Sequence, residues 1–169
     1  FDDTFFDAEL SPSGDYIYVA ARTLGTTKIN RDTGAVEWNV SAGSGSDTAD
    51  VAVDNDGTVY AIEDDPATVR KFDETGSELW STEVSTGSTT YSLPASADGS
   101  RVVAGYYNSN SDGEIAILDE SGTVLDDSIR NGVPQDIAIN SDASKFAVAL
   151  NTNGWAEYSM DATQLASGT

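Results

Sequence analysis

The segment NSNSDGEIAILD, residues 108–119, comes nearest in this chain to a metal-binding pattern. Asn108, Asn110 and Asp112 occupy the first, third and fifth positions of an oxygen-rich loop, Gly113 the sixth and Asp119 the twelfth. Calcium needs several hard oxygens on a tightly curved loop, so Asn108, Asn110, Asp112 and Asp119 form a candidate calcium site. Two features weigh against it: the loop opens on Asn rather than Asp, and residues 115–118 have the character of a strand. A solvated strand connection is the competing reading. The shorter acidic turn Asp54, Asn55, Asp56, Gly57 has a weaker claim on a cation. Glu63, Asp64 and Asp65 cluster ahead of Pro66, and paired carboxylates are what a glycosidase needs on either side of a sugar bond. In a chain this acidic such a cluster arises freely. Tyr106, Tyr107 and Asn108 combine apolar ring faces with an adaptable amide, a composition suited to recognising glycan or protein. Ordinary core packing by one or both tyrosines is the alternative.

Charge narrows the classes further. The 169 residues carry 29 Asp plus Glu against 8 Lys plus Arg, a formal net charge of −21. Aspartate outnumbers glutamate 20 to 9, and Lys28, Lys71 and Lys145 are the only lysines. Such a surface repels itself at ordinary ionic strength, whereas molar salt shortens the screening length to about 3 Å. The acids are dotted through every turn rather than pooled in a tail, as a salt-adapted surface requires. Nucleic-acid partners are excluded, since no basic patch exists to displace counterions from phosphates. With neither cysteine nor histidine, disulfides, the usual zinc ligand sets and His-based triads are excluded too. No apolar run reaches the roughly 20 residues of a membrane-spanning helix, so no direct membrane insertion is expected. The opening at Phe1, without Met, is expected of a processed chain or part of a longer one.

The elements that must position these groups recur along the chain. SPSGDYIYVA, DNDGTVYAI, SADGSRVVAG and NSDASKFAVAL each join a polar turn to an apolar or alternating strand. Gly14, Gly57, Gly99 and Ala143 align in them at spacings of 43, 42 and 44. DAEL, DVAVD, YSLPA and DIAIN each supply a strand just before the turn. A second series, TKINRDTGAVEW, VRKFDETGSELW, IAILDESGTVL and AEYSMDATQLA, reads as strand, turn, strand, with Asp32, Asp73, Asp119 and Asp161 opening the turns. Gly34, Gly76 and Gly122 suit tight hairpins, while the fourth copy has Gln164 instead. Four short antiparallel strands in about 42 residues, without helical periodicity, match one propeller blade. A lone sheet of this kind cannot bury both faces, so neighbouring sheets must stack.

The segments DTGAVEW and DETGSELW resemble the repeats of quinoprotein-like (PQQ-type) propellers, in which a turn glycine precedes a tryptophan by four residues. DVAVDNDGTVYAI with VRKFDETGSELW is also similar to NHL-type blades. The resemblance implies that Trp38 and Trp80 pack across onto an adjacent blade. Repeats three and four lack the tryptophan, leaving Leu125 or Leu165 for that place. The family's quinone-dependent dehydrogenases enclose their cofactor in a much longer propeller, and nothing in this chain resembles such a cage.

The expectation is therefore an all-β chain, residues 1–169 forming one β-propeller domain. Its four antiparallel four-stranded blades lie roughly at 7–40, 50–84, 91–129 and 136–169, as a compact ring or as part of a larger assembly. Its expected role is a non-catalytic interaction or structural module facing a hypersaline medium. A halophile's cell surface and the spike or shell of a virion fit that role. The expected partners are other protein subunits or a surface glycan, with no cofactor besides the calcium candidate. A carbohydrate-active or quinone-dependent enzyme fragment is the alternative.

Overall fold

The computed structural model describes residues 3–86, 89–107, 113–130, 132–152 and 154–169. Among these residues sixteen strands form four sheets, each an antiparallel meander of four. The first blade holds β1 (Phe5–Leu10), β2 (Tyr16–Ala21), β3 (Gly25–Asn30) and β4 (Val36–Val40). The second holds β5 (Thr48–Val53), β6 (Val59–Glu63), β7 (Ala67–Phe72) and β8 (Glu78–Ser85). The third holds β9 (Thr89–Ser92), β10 (Arg101–Tyr107), β11 (Gly113–Asp119) and β12 (Val124–Ile129). The fourth holds β13 (Pro134–Ile139), β14 (Lys145–Leu150), β15 (Gly154–Ser159) and β16 (Gln164–Gly168). The expected β-propeller of four antiparallel four-stranded blades is what the chain forms. Phe5 and Phe6 begin the innermost strand of the first blade.

Local chemistry explains the hairpins. In the third blade Gly122 adopts φ 82° in the turn between β11 and β12, where its N–H reaches the carbonyl of Asp119. The fourth blade makes the same turn two residues earlier than the expected Asp161. Ser159 opens it, and Ala162 at φ 62° takes the glycine's place. In the first blade Asn30 rather than Asp32 opens the equivalent turn. Ala143, aligned with Gly99, is likewise left-handed at φ 54°. These two alanines bear strain that glycine would not.

Three hydrophobic clusters hold the blades together. Tyr18 and Ala20 meet Val51, Val59, Ala61 and Phe72 between the first and second blades. Tyr60 and Ile62 meet Val102, Ala104 and Tyr106 between the second and third. Val103 and Ile117 meet Ile137, Phe146 and Val148 between the third and fourth. The middle strand β6 is accordingly buried along its length, whereas β14 alternates exposed and buried. Each of these clusters joins consecutive blades, first to second, second to third and third to fourth.

Candidate functional site

The four inner strands β1, β5, β9 and β13 line a shared groove of about 440 Å³. A register shift interrupts the inner pairing of every blade, between Phe5 and Asp7, Thr48 and Asp50, and Pro134 and Asp136, and opposite Gly105 and Tyr106 in the third. A bulge bends the strand and re-aims the following side chain. Here it turns Asp7, Asp50, Ser92 and Asp136 along the inner edge. Asp7 Oδ2 accepts the Val51 amide at 3.3 Å, Asp50 Oδ2 the Leu93 amide at 2.6 Å, and Ser92 Oγ the Ile137 amide at 3.1 Å. Each of the first three blades thus bonds the inner strand of the next. Glu9 Oε2 adds a bond to the Val53 amide at 2.9 Å.

This edge is electrostatically loaded. Burial, with a hydrogen bond and charge repulsion from Asp7, pushes the Asp50 carboxyl up to about 8. Burial also raises the Glu9 carboxyl, with the negative charge of Asp7 adding to it. Among the described residues no Lys or Arg pairs with Asp7, Glu9, Asp50 or Asp136. In the sequence the only sign of this series is the aspartate that opens DAEL, DVAVD and DIAIN at a constant repeat position.

Trp38 and Trp80 lie between blades. Trp38 Nε1 donates to the Glu74 carbonyl at 3.0 Å, and a Cβ built on Gly76 would stand 2.8 Å from its ring. Trp80 Nε1 donates to the Glu120 carbonyl at 3.0 Å, with Gly122 placed the same way, 2.7 Å from the ring. Lys28 and Lys71 send their ammonium groups to the same two carbonyls. Leu125 and Leu165 stay exposed rather than taking the tryptophan's place. The third blade packs on the fourth through Val103, Ile115, Ile117 and Ile129 instead.

The remaining candidates fall in different places. Asn108, Asn110 and Asp112 lie outside the described residues. Asp119 sits at the start of the β11–β12 turn, where Oδ1 accepts the Ser121 and Thr123 amides and the Ser121 hydroxyl. Those bonds, the hydroxyl's foremost, hold its carboxyl below the usual range. Among the described residues no three His, Cys, Asp or Glu side chains are grouped to hold a metal ion. Tyr106 belongs to β10 rather than a loop; its ring is fully buried and its hydroxyl reaches the Val84 carbonyl at 3.3 Å. Tyr107 ends the same strand, paired with Gly113 and Thr89.

Glu63 and Asp64 of the acidic trio are taken up in structural bonds, while Asp65 is exposed. Glu63 is buried, its Oε1 at 2.6 Å from Arg70 Nη1 and its Oε2 accepting the Gly43 amide at 2.9 Å. Arg70 also pairs with Glu78 at 2.5 Å. Asp64 Oδ1 accepts the Asp47 amide at 2.8 Å, and burial raises its carboxyl. Asp54 is buried as well, taking the Asp56 and Thr58 amides and the Tyr60 hydroxyl.

A search among curated proteins returned no match. The PQQ_2 family model, described as outer membrane protein assembly factor BamB, matches residues 5–138, which is well over half of the chain. Its span takes in the first three blades and most of β13, including both tryptophan sockets and the complete series of bulged inner-edge residues. The chain belongs to this family of PQQ-type propeller repeats.

Proposed function

We propose that the chain is a non-catalytic platform that holds protein partners within a larger assembly, in a strongly saline medium outside the cell. One observation carries the reading: the side chains best equipped for chemistry are committed to the framework. Asp54, Asp73, Asp98, Asp119, Asp142 and Asp161 bond their own turns. Glu63 is neutralised by Arg70, and both docking tryptophans bind neighbouring blades. What faces outward is a rigid disc segment with polar turns, a surface suited to holding other proteins. The family's description as an assembly factor supports the same role. Protein partners are favoured over glycan because the Tyr106 ring, which would have stacked on sugar, lies in the core. The net charge of −21 supports the saline setting, at the surface of a halophile or of a virion.

The test is carboxylate-directed cross-linking of the chain in an extract of its source organism, at about 2 M KCl, where screening is strong. A stoichiometric partner joined to exposed turn carboxylates is expected. Turnover of a glycoside, or quinone-dependent alcohol oxidation, abolished by Asp50→Asn, would overturn the non-catalytic reading. A cooperative fold fully retained at about 0.1 M salt would overturn the saline one.

A further inference from the structure

The junction of the first and second blades and that of the second and third share one plan but are finished differently. In both, a tryptophan and a lysine of one blade bond a carbonyl of the next: Trp38 and Lys28 at Glu74, Trp80 and Lys71 at Glu120. In both, a tyrosine lies against that tryptophan, Tyr18 at 5.9 Å and Tyr60 at 6.3 Å between ring centroids. At the second junction the Tyr60 hydroxyl donates to Asp54 Oδ2 at 3.2 Å and lies 3.3 Å from the Gly99 carbonyl. The Asn55 amide, next along, donates to the Ala97 carbonyl at 2.8 Å. A Cβ on Gly99 would strike the Asp54 carboxylate, so this junction is full.

At the first junction, strand pairing puts Ser11 where the second blade has Asp54, and Pro12 where it has Asn55. The Ser11 hydroxyl oxygen is taken by the Tyr16 amide, and Pro12 has no N–H to give. Tyr18 is 2% exposed, yet its hydroxyl bonds no group among the described residues. The Asn55 carbonyl likewise lacks the bond that Ala97 receives. A Cβ on Gly57, the counterpart of Gly99, would meet nothing within 4 Å. The space left is a pocket of about 230 Å³ bordered by Tyr18, Lys28, Asn55, Asp56 and Glu74. Lys28 is buried too, its ammonium 4.1 Å from the Tyr16 ring centre and bonded, among the described residues, to the Glu74 carbonyl alone.

We propose that this pocket binds a free α-amino acid, its carboxylate taking the place that Asp54 holds at the second junction and its ammonium that of the missing Pro12 N–H. Tyr18 and Lys28 donate to the carboxylate, and the Asn55 carbonyl accepts from the ammonium. Burial, with the charges of Glu74 and Tyr16 adding to it, raises the Tyr18 hydroxyl, which therefore keeps its proton and donates. The second junction already seats a carboxylate in such surroundings. Burial raises the Tyr60 hydroxyl, and the charges of Asp54, Asp98 and Glu120 add to it; Asp98 and Glu120 are the counterparts of Asp56 and Glu74. Asp56 and Glu74 favour a charged ammonium over a neutral amide N–H. The volume lies below that of drug-sized pockets, which suits one residue rather than a chain. Pro12, Tyr16 and Tyr18 supply an apolar wall for an uncharged side chain. Such a site is independent of which proteins the platform holds.

Isothermal titration at about 2 M KCl with L-alanine, L-leucine and L-phenylalanine tests this, with circular dichroism confirming that each variant is folded. At least one should bind saturably, and its N-acetyl and carboxamide derivatives at least about tenfold more weakly. Ser11→Asp supplies the carboxylate from the chain itself, as Asp54 does, and should abolish binding. Tyr18→Phe should weaken it about tenfold, while Tyr60→Phe, at the filled junction, should leave it unchanged. No saturable binding of any of the three amino acids would overturn the proposal. So would equal binding of either derivative, or binding that survives undiminished in Ser11→Asp or Tyr18→Phe.

Discussion

Individual side chains in this protein act mainly by completing backbone bonds, and their ionisation follows from that. Asp73, Asp98, Asp119, Asp142 and Asp161 all accept bonds from hydroxyls or amides of their own turns. Their carboxyls lie below the usual range, Asp98 down to about 2. A lowered folded value lends stability above the ordinary carboxylate range that is lost as acid protonates the group. Asp50 has the opposite sign. Its raised value means that the folded chain keeps a proton the unfolded chain releases, so stability falls as pH rises from the ordinary value of 3.8 to about 8. Asp7→Asn should remove the repulsion, keep an acceptor for Val51 and give ionised Asp50 a donor. Urea unfolding should show a gain of about 1 kcal/mol at pH 8 and a flatter decline from acid to neutral pH. A separate residue-scale gain is expected from Ala143→Gly and Ala162→Gly. Each relieves a left-handed alanine and should stabilise by about 0.5–1 kcal/mol in the same assay.

Among the elements, the outer hairpins divide into those that dock and those that do not. Trp80 on β8 spans to the β11–β12 turn, packing over Gly122 and bonding Glu120. Truncating it to alanine removes a ring contact and a hydrogen bond together, and should cost about 2–4 kcal/mol in thermal or urea unfolding. Leu125→Ala, in the corresponding hairpin of the third blade, should cost less than about 0.5 kcal/mol because that side chain is exposed. Gly122→Ala should behave like Trp80→Ala, since its new methyl would strike the ring and strain a backbone at φ 82°. The contrast between β8 and β12 was only half legible in the residues. The spacing from Gly76 to Trp80 announced a socket, but nothing in VLDDSI announced that Val103, Ile115 and Ile117 would do the docking instead. Inner strands were clearer: alternation and constant repeat length located all four. Their bulges were not visible, because an extra residue in a strand leaves the apolar pattern on either side intact.

For the whole molecule, a row of four blades with a net charge of −21 balances burial against self-repulsion. The acid-sensitive turns and the alkali-sensitive Asp50 together predict greatest stability near about pH 5, read from urea midpoints across pH at constant salt. Raising KCl at neutral pH should raise the thermal midpoint progressively, with most of the gain complete once the screening length falls to about 3 Å. The family match extends through the first three blades and most of β13, while β14–β16 complete a fourth blade of the same build beyond it.

Period and polarity along the chain were enough to determine four sheets of four strands and the acidic exterior, because each depends on neighbours within a few residues; they did not determine that Asn30 and Ser159 open the outer turns of the first and fourth blades. Which groups serve chemistry and which serve structure was decided only by the tertiary packing. Tyr106 went to the core, Glu63 to Arg70, and Asp7, Asp50 and Asp136 to the inner edge. Whether the row of blades closes depends on small rotations summed from sheet to sheet, and these are set by side chains some 40 residues apart meeting across a blade junction. A local pattern carries no record of that sum.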